Sequence, residues 1–390
     1  VIGVDASVTR NTGNVASGVG QVVTLPNGES EVINSTGANY TTKQYQISLT
    51  QPLFRWDRWQ TYQQSKLQEA ISEAQFAQAQ QDLITRVAQA YFDVLGAQDT
   101  LESTRSQKEA VTEQLASAKR NFEVGTQTIT DTHEAQAAYD LVISQEFAAS
   151  ADLENKRSAL LAIVGGDAVA LAPLRTGVAL ASPQPAAIEP WLSAAQSQNY
   201  GVTVGELSLE SAKRDIERNR AGHLPTLDLV ASNARTLNTG AVAYTSRATG
   251  NAIGVQLNVP IFSGFAVTSR VRESIALEDK ARNDLEATRR NAVLGVRQAY
   301  LGVNSGLAQV KALEAAEISS QSALDSNKLG YQVGVRINID VLNAQRQLYS
   351  TQTQLSQARY TTIMSGLRLK AAAGSLREAD LVPVNALLVR

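Results

Sequence analysis

Phe122-Glu-Val-Gly-Thr-Gln-Thr-Ile-Thr-Asp131 and Tyr331-Gln-Val-Gly-Val-Arg-Ile-Asn-Ile-Asp340 are two versions of one segment, and their spacing decides the fold. From 122 to 331 is an offset of 209 residues. The same offset carries Gln89-Ala90-Tyr91 onto Gln298-Ala299-Tyr300, Leu160 onto Leu369 and Gly165 onto Gly374. An offset held over so long a stretch excludes insertions, as regular helices do and loops do not. Upstream it slips by one, so that Gln51-Pro52-Leu53-Phe54 matches Val259-Pro260-Ile261-Phe262. The chain therefore reads as two halves, residues 1–172 and 190–390. Each runs strand, long polar loop, strand, very long helix, turn, shorter helix.

The helices follow from period. Val293, Val296, Tyr300, Val303, Leu307 and Val310 recur at alternating spacings of three and four, and Ile84, Val87, Tyr91, Val94, Gln98 and Leu101 match them. Heptad spacing favours side-by-side, coiled-coil-like packing. From 55 to 121 there is no Pro, and Gly96 is the only glycine. Roughly 67 residues at ~1.5 Å each give a helix of ~100 Å. Helical segments are expected over 55–172, 190–222 and 263–374. The last of the 190–222 segment is Gly222, followed by His223-Leu224-Pro225, a good stop signal. The segments 173–189 and 375–390 read as an equivalent connector and tail. By the repeat, the 190–222 helix has a first-half counterpart before residue 1, of roughly 30–40 residues.

The strands follow from alternation. Tyr45, Ile47 and Leu49 alternate with polar residues, as do Val255, Leu257 and Val259; Leu227 with Leu229, and Val4 with Val8, mark two more. Strands are expected within 1–54 and 223–262, joined by exposed polar loops at 11–41 and 234–250.

Composition narrows function. The 390 residues carry 35 Lys+Arg against 37 Asp+Glu, a net charge of −2, which argues against a polyanion-binding surface. There is no Cys, and His133 and His223 are the only histidines, so thiolate chemistry and a multi-histidine metal site are excluded. No catalytic constellation, cofactor motif or metal-ligand spacing is present, and no enzyme activity is expected. No apolar run is long enough for a transmembrane helix. Barrel strands carry only a weak hydropathy signal. Four strands cannot close a barrel, and unpaired edges in a membrane are prohibitively costly. Two, three or four copies would give 8, 12 or 16 strands. A soluble coiled-coil tether explains the heptads but not the strands. A diffusion porin explains the strands but not the long helices.

Gly222-His-Leu-Pro-Thr-Leu-Asp-Leu229, both Val-Gly turns and Gln-Ala-Tyr in both long helices resemble the TolC family of outer-membrane efflux and secretion channels. The resemblance covers essentially the whole chain. It implies a mixed α and β membrane protein: a homotrimer whose 12-strand barrel, four antiparallel strands from each copy, continues into a periplasmic tunnel of 12 helices. The implied place is the outer membrane of a Gram-negative bacterium. The implied partners are outer-membrane lipid, a periplasmic adaptor and an inner-membrane transporter of the RND or ABC class. The implied function is a passive exit duct for drugs, other small molecules or secreted protein. No cofactor and no nucleic acid enter.

The resemblance also assigns residues. Asp340 faces the pore constriction, with Asn343 where the family often has a second acid. Tyr331 and Arg336 hold Thr130 and Asp131 as gate links. Val124, Gly125, Thr126, Val333, Gly334 and Val335 meet the adaptor. Beside this stands a plainer role, in which Asp131 with Glu134, and Asp340 with Asn343, cap helices, and the glycines serve turns. Phe54, Trp56, Trp59, Tyr62, Phe262 and Phe265 cluster where strands end, either as membrane-interface aromatics or as junction packing.

Overall fold

The computed structural model describes residues 2–13, 21–24, 28–33, 38–166, 170–175, 177–240 and 246–389. In chain order the elements are β1 (Ile2–Gly13), β2 (Gln21–Thr24), β3 (Ser30–Ile33), β4 (Ala38–Phe54), α1 (Trp56–Glu123), α2 (Ile129–Val164), α3 (Glu189–Ser197), α4 (Tyr200–Arg220), β5 (Thr226–Gly240), β6 (Ser246–Asn258), α5 (Ala266–Gln332), α6 (Asn338–Ala372) and α7 (Leu381–Asn385). They fall into two compact units, Val1–Lys66 with Glu210–Asp279, and Leu67–Leu209 with Lys280–Arg390.

The first unit holds an antiparallel sheet in the order β1-β4-β5-β6. Its register aligns Val4 with Ile47, Leu49 with Ala231, and Ala231 with Ile253. Among the described residues β1 and β6 are edge strands, each paired on one side only. The polarity is the reverse of a sheet in water. Val4, Val8, Tyr45, Ile47, Leu49, Ile253, Val255 and Leu257 share one face and are all exposed. Gln44, Gln46, Ser48, Thr50, Ser232 and Thr236 share the other and are half-buried. The apolar band also climbs across the register. It centres on Val255 and Leu229 in β6 and β5, but on Ile47 in β4, which pairs with Asn233. A level band crossing strands obliquely is what tilted barrel strands produce.

Two expectations need correction here. Among the described residues, the loops 11–41 and 234–250 are mostly strand: β1 runs to Gly13, β4 begins at Ala38, β5 runs to Gly240 and β6 begins at Ser246. The pair β2 and β3 forms a separate two-stranded sheet inside the first of them. Ladder bonds use backbone, so Thr- and Asn-rich sequence can pair without an apolar pattern. Residues 14–20, 25–27, 34–37 and 241–245 of those loops lie outside the described residues.

Within the same unit Arg55 grips Asp228 in a fork, Nε to Oδ1 at 3.1 Å and Nη2 to Oδ2 at 2.5 Å. This joins the foot of β4 to the foot of β5.

The second unit contains most of α1 and α5, with α2, α3, α6 and α7. Its core is a chain of small clusters between paired helices. Leu115 and Ala118 meet Ala135, and Val94, Ala97 and Leu101 meet Leu153, joining α1 to α2. Leu324 meets Val341 and Leu348, and Val310 meets Leu355 and Ala358, joining α5 to α6. The halves are tied to one another where α6 lies on α1: Ala88, Phe92 and Leu95 pack on Tyr360, Ile363, Met364 and Leu367. Phe92 stacks on Tyr360 at 5.5 Å, and Tyr360 donates to Asp99 Oδ2 at 2.7 Å. Every position of the two expected heptad stripes is buried or half-buried.

The duplication holds at the level of backbone. Shifted by 209, α2 becomes 338–373, and α6 is Asn338–Ala372. Gly125 and Gly334 take φ of 76° and 80°, the left-handed turn that glycine adopts without strain. Tyr91 donates to Ala172 O at 2.8 Å and Tyr300 to Ala186 O at 2.5 Å, so both Gln-Ala-Tyr motifs hold the connector. Connector and tail meet: Leu174 bridges Leu388, and Val389 N donates to Pro173 O at 2.8 Å. The returning helix of the first half, α2, ends at Val164, where Gly165 follows with φ of 73°.

The 190–222 helix is broken into α3 and α4, another correction. Asn199 Oδ1 accepts from Val202 N at 3.2 Å, starting a new helix. In the second half Trp191 and Ala195 of α3 fill a groove against Val296, Leu369 and Ala373. The matching first-half positions, Val87, Leu160 and Val164, line an open groove of about 470 Å³ with Tyr91 and Val94. Among the described residues no helix is long and apolar enough to cross a membrane.

Candidate functional site at the hairpin tips and the sheet face

Each helix hairpin closes with a Val-Gly turn built the same way. Gly125 N bonds Phe122 O at 3.0 Å and Thr126 N bonds Asn121 O at 2.9 Å; Gly334 N bonds Tyr331 O at 3.2 Å and Val335 N bonds Gly330 O at 2.9 Å. With the helix carbonyls so satisfied, the apolar side chains are left outside. Val124, Val333 and Val335 are 73%, 66% and 75% exposed. Gly125, Thr126 and Gly334 are exposed beside them. Each turn thus presents apolar side chains on a glycine bend.

The acids at the helix starts do not cap as expected. Thr128 is the N-cap of α2, and Asp131 is the acidic member of its capping box, with Oδ2 accepting from Thr128 N at 3.1 Å and Oγ1 at 2.8 Å. Glu134 is not its box partner. In α6 the N-cap position is Ile337, so Asp340 lies inside the first turn.

Within the single chain the proposed gate residues make other contacts. Tyr331 Oη accepts a short hydrogen bond from Gln127 Nε2 instead of meeting Thr130 or Asp131. Arg336 Nη1 lies 3.6 Å from Asp340 Oδ2, four residues along its own segment. The reason is local. Asp131's carboxylate is committed to Thr128, and Asp340 is the carboxylate nearest in sequence to Arg336.

Sequence reasoning missed Asn338. It is 1% exposed, donates from Nδ2 to Asp131 O at 3.0 Å and accepts at Oδ1 from Gln114 Nε2 at 2.6 Å. One amide thus ties α6 to α1 and to the start of α2. Its repeat equivalent is Ile129, which is 46% exposed. A polar residue replacing an apolar one at a matched position was the available signal. Arg346 was missed as well: its Nη2 donates to Asn343 Oδ1 in a short bond. Asp340 has Arg336 beside it.

In the other unit the strand-end aromatics are solvent-facing, not packed core. Phe54, Trp56, Trp59, Tyr62, Phe262 and Phe265 are all exposed, the last two at 75% and 70%. They pair among themselves, Phe262 edge-on to Phe265 at 5.5 Å and Trp59 tilted on Tyr62 at 5.9 Å. Phe265 has φ of 63°, a strained backbone for an aromatic residue.

The sequence matches the outer membrane efflux protein family over residues 2–166 and 191–375. It is 38% identical over 347 residues to the outer membrane protein TolC of Vibrio cholerae, covering 87% of this chain and 78% of that protein. It is 33% identical over 342 residues to the alkaline protease secretion protein AprF of Pseudomonas aeruginosa, covering 87% and 71%. In fold it is similar to the outer membrane protein VceC of Vibrio cholerae, with a TM-score of 0.76 at 18% identity, covering 96% of this chain and 86% of that one.

Proposed function

Because this chain belongs to the outer membrane efflux protein family, we propose how its two halves build the exit duct: three copies close a 12-strand barrel above a tunnel of 12 helices. The protein is an outer membrane channel of Gram-negative bacteria, serving efflux or type I secretion. The observation that carries the assembly is the open sheet. Its apolar face is exposed, its polar face is half-buried, and among the described residues β1 and β6 each offer a free edge. Edges left unpaired in lipid cost several kcal/mol per group (about 2–7 for an unbonded amide). Pairing β6 of one copy with β1 of the next removes them.

The helices support the same ring. Phe92 on α1 is buried against α6, but Leu301, its counterpart on α5, is 63% exposed. By the repeat, Leu301 faces Ala151 on α2 of the next copy, as Phe92 faces Tyr360. Likewise, the open first-half groove is the seat for a helix equivalent to α3.

In this reading the strand-end aromatics lie at the lipid boundary. The valine knuckles take the adaptor, which links the duct to the inner-membrane transporter. Tyr331, Arg336, Thr130 and Asp131 belong to the gate. Asp340 and Asn343 line the constriction. No covalent chemistry is assigned. The test is crosslinking: Leu301→Cys with Ala151→Cys, in a chain without native Cys, gives a ladder ending at three copies in detergent. A ladder ending elsewhere, or intrachain product only, overturns the ring.

A further inference from the structure

We infer that Asn338 is the clasp that holds the hairpin tip closed, so that opening requires breaking its two hydrogen bonds. The inference rests on the reading of the tips as the gate. Three helices meet at this one side chain. Gln114 comes from α1, Asp131 O from the first turn of α2, and Asn338 itself opens α6. Both halves of the amide are used, and the residue is 1% exposed.

The surroundings explain why an amide is placed there. Val341 and Leu342, 0% and 1% exposed, seal the next turn of α6, against Leu324 and Leu348 on one side and Val111 and Val142 on the other. Gln345, one further turn along, is 2% exposed and leaves Oε1 without a partner. The seam thus carries polar groups where apolar ones would pack more firmly. A polar seam has geometry-dependent bonds that fail together when the helices separate. An apolar seam loosens gradually with distance. The clasp also sits in one half only, because the matched position is the exposed Ile129. The hairpin of α5 and α6 is therefore pinned to its own chain's first hairpin by hydrogen bonds. The equivalent contact toward the next copy has no amide to use. Opening by separation inside the chain is what Asn338 restrains.

Asn338→Ile restores the first-half residue and removes both bonds. Two neutral hydrogen bonds correspond to about a tenfold shift in the open-to-closed ratio. The experiment records single channels in planar bilayers for the full chain, Asn338→Ile, Asn338→Asp and Tyr331→Phe, with melting curves alongside. Asn338→Ile is expected to raise open occupancy about tenfold with little change in melting. Asn338→Asp, which keeps acceptance from Gln114 but sets a carboxylate against Asp131 O, is expected to open the channel at least as far as Asn338→Ile. A second arm joins Gln114→Cys to Asn338→Cys with a short thiol crosslinker. Closure that reduction reverses is expected. Wild-type occupancy in Asn338→Ile together with no effect of the crosslink overturns the inference. Tyr331→Phe separates the causes: if it opens the channel while Asn338 does not, the gate reading stands and the clasp alone fails; if neither responds, both fall.

Discussion

Ile47→Arg, set against Gln46→Arg, distinguishes a lipid-facing sheet from one in water. The two residues are neighbours on β4 and point to opposite faces. Ile47 is 53% exposed, pairs with Val4 on one side and Asn233 on the other, and lies between Tyr45 and Leu49 on the apolar face. Gln46 is half-buried on the polar face and pairs with Asp5, which an introduced guanidinium could reach. Ile47 is central in the apolar run of its strand, so its depth is near the bilayer midplane. Arg on the lipid face there costs about 2–4 kcal/mol per copy, or about 6–12 kcal/mol for a barrel of three. Were the face in water, an exposed Ile→Arg change would stay within about 0.5 kcal/mol. Gln46→Arg is expected within about 1 kcal/mol. Guanidinium unfolding in lipid vesicles, followed by tryptophan fluorescence and by the gel shift of the folded barrel, measures both. A neutral Ile47→Arg, or a costlier Gln46→Arg, would refute the assignment of faces.

Other predictions address the tunnel. Tyr331→Phe with Arg336→Ser removes the acceptor for Gln127 and the partner of Asp340, and raises single-channel conductance; unchanged conductance counts against this gate. Asp340→Asn lowers cation selectivity and Arg336→Ala raises it, since Arg336 opposes the acid; unmoved reversal potentials in both would sink the constriction assignment. Glu146 is one group whose protonation is expected to weaken the fold. The hydrogen bond from Lys108, 2.6 Å, holds its carboxyl below the usual range; burial opposes this and Arg105 adds to it. A carboxyl depressed in the folded state contributes stability above its unfolded pKa of about 4.3 and loses it as pH falls through the folded value. Lys108→Met should therefore flatten the fall of melting temperature from about pH 5 downwards; an unchanged acid slope speaks against the pair.

The long helices were legible because a helix fixes register over its whole length, so one constant offset predicted α1, α2, α5 and α6 together. The sheet was legible where apolar residues alternate, as at Tyr45, Ile47 and Leu49. It was not where Ala38 to Thr41 pair with Arg10 to Gly13, because that pairing is made by backbone and the side chains carry no period. The break at Gln198 was written only in Asn199, a cap residue read as part of a continuous helix. At the tips, residue types were readable but partners were not. Which side chain meets Tyr331 or Arg336 depends on angstrom-scale placement of two turns. Asn338 was hidden by its neighbours Ile337 and Ile339, and shows only against Ile129 in the other half.

The central claim is that copies of this chain close into a duct through the outer membrane. Conductance of the purified full-length protein in a planar bilayer tests it most directly. The account predicts discrete single-channel steps from a three-copy species, with larger open conductance when Tyr331→Phe and Arg336→Ser are combined. A membrane that stays silent with purified trimer, or steps that arise from single copies, would contradict it.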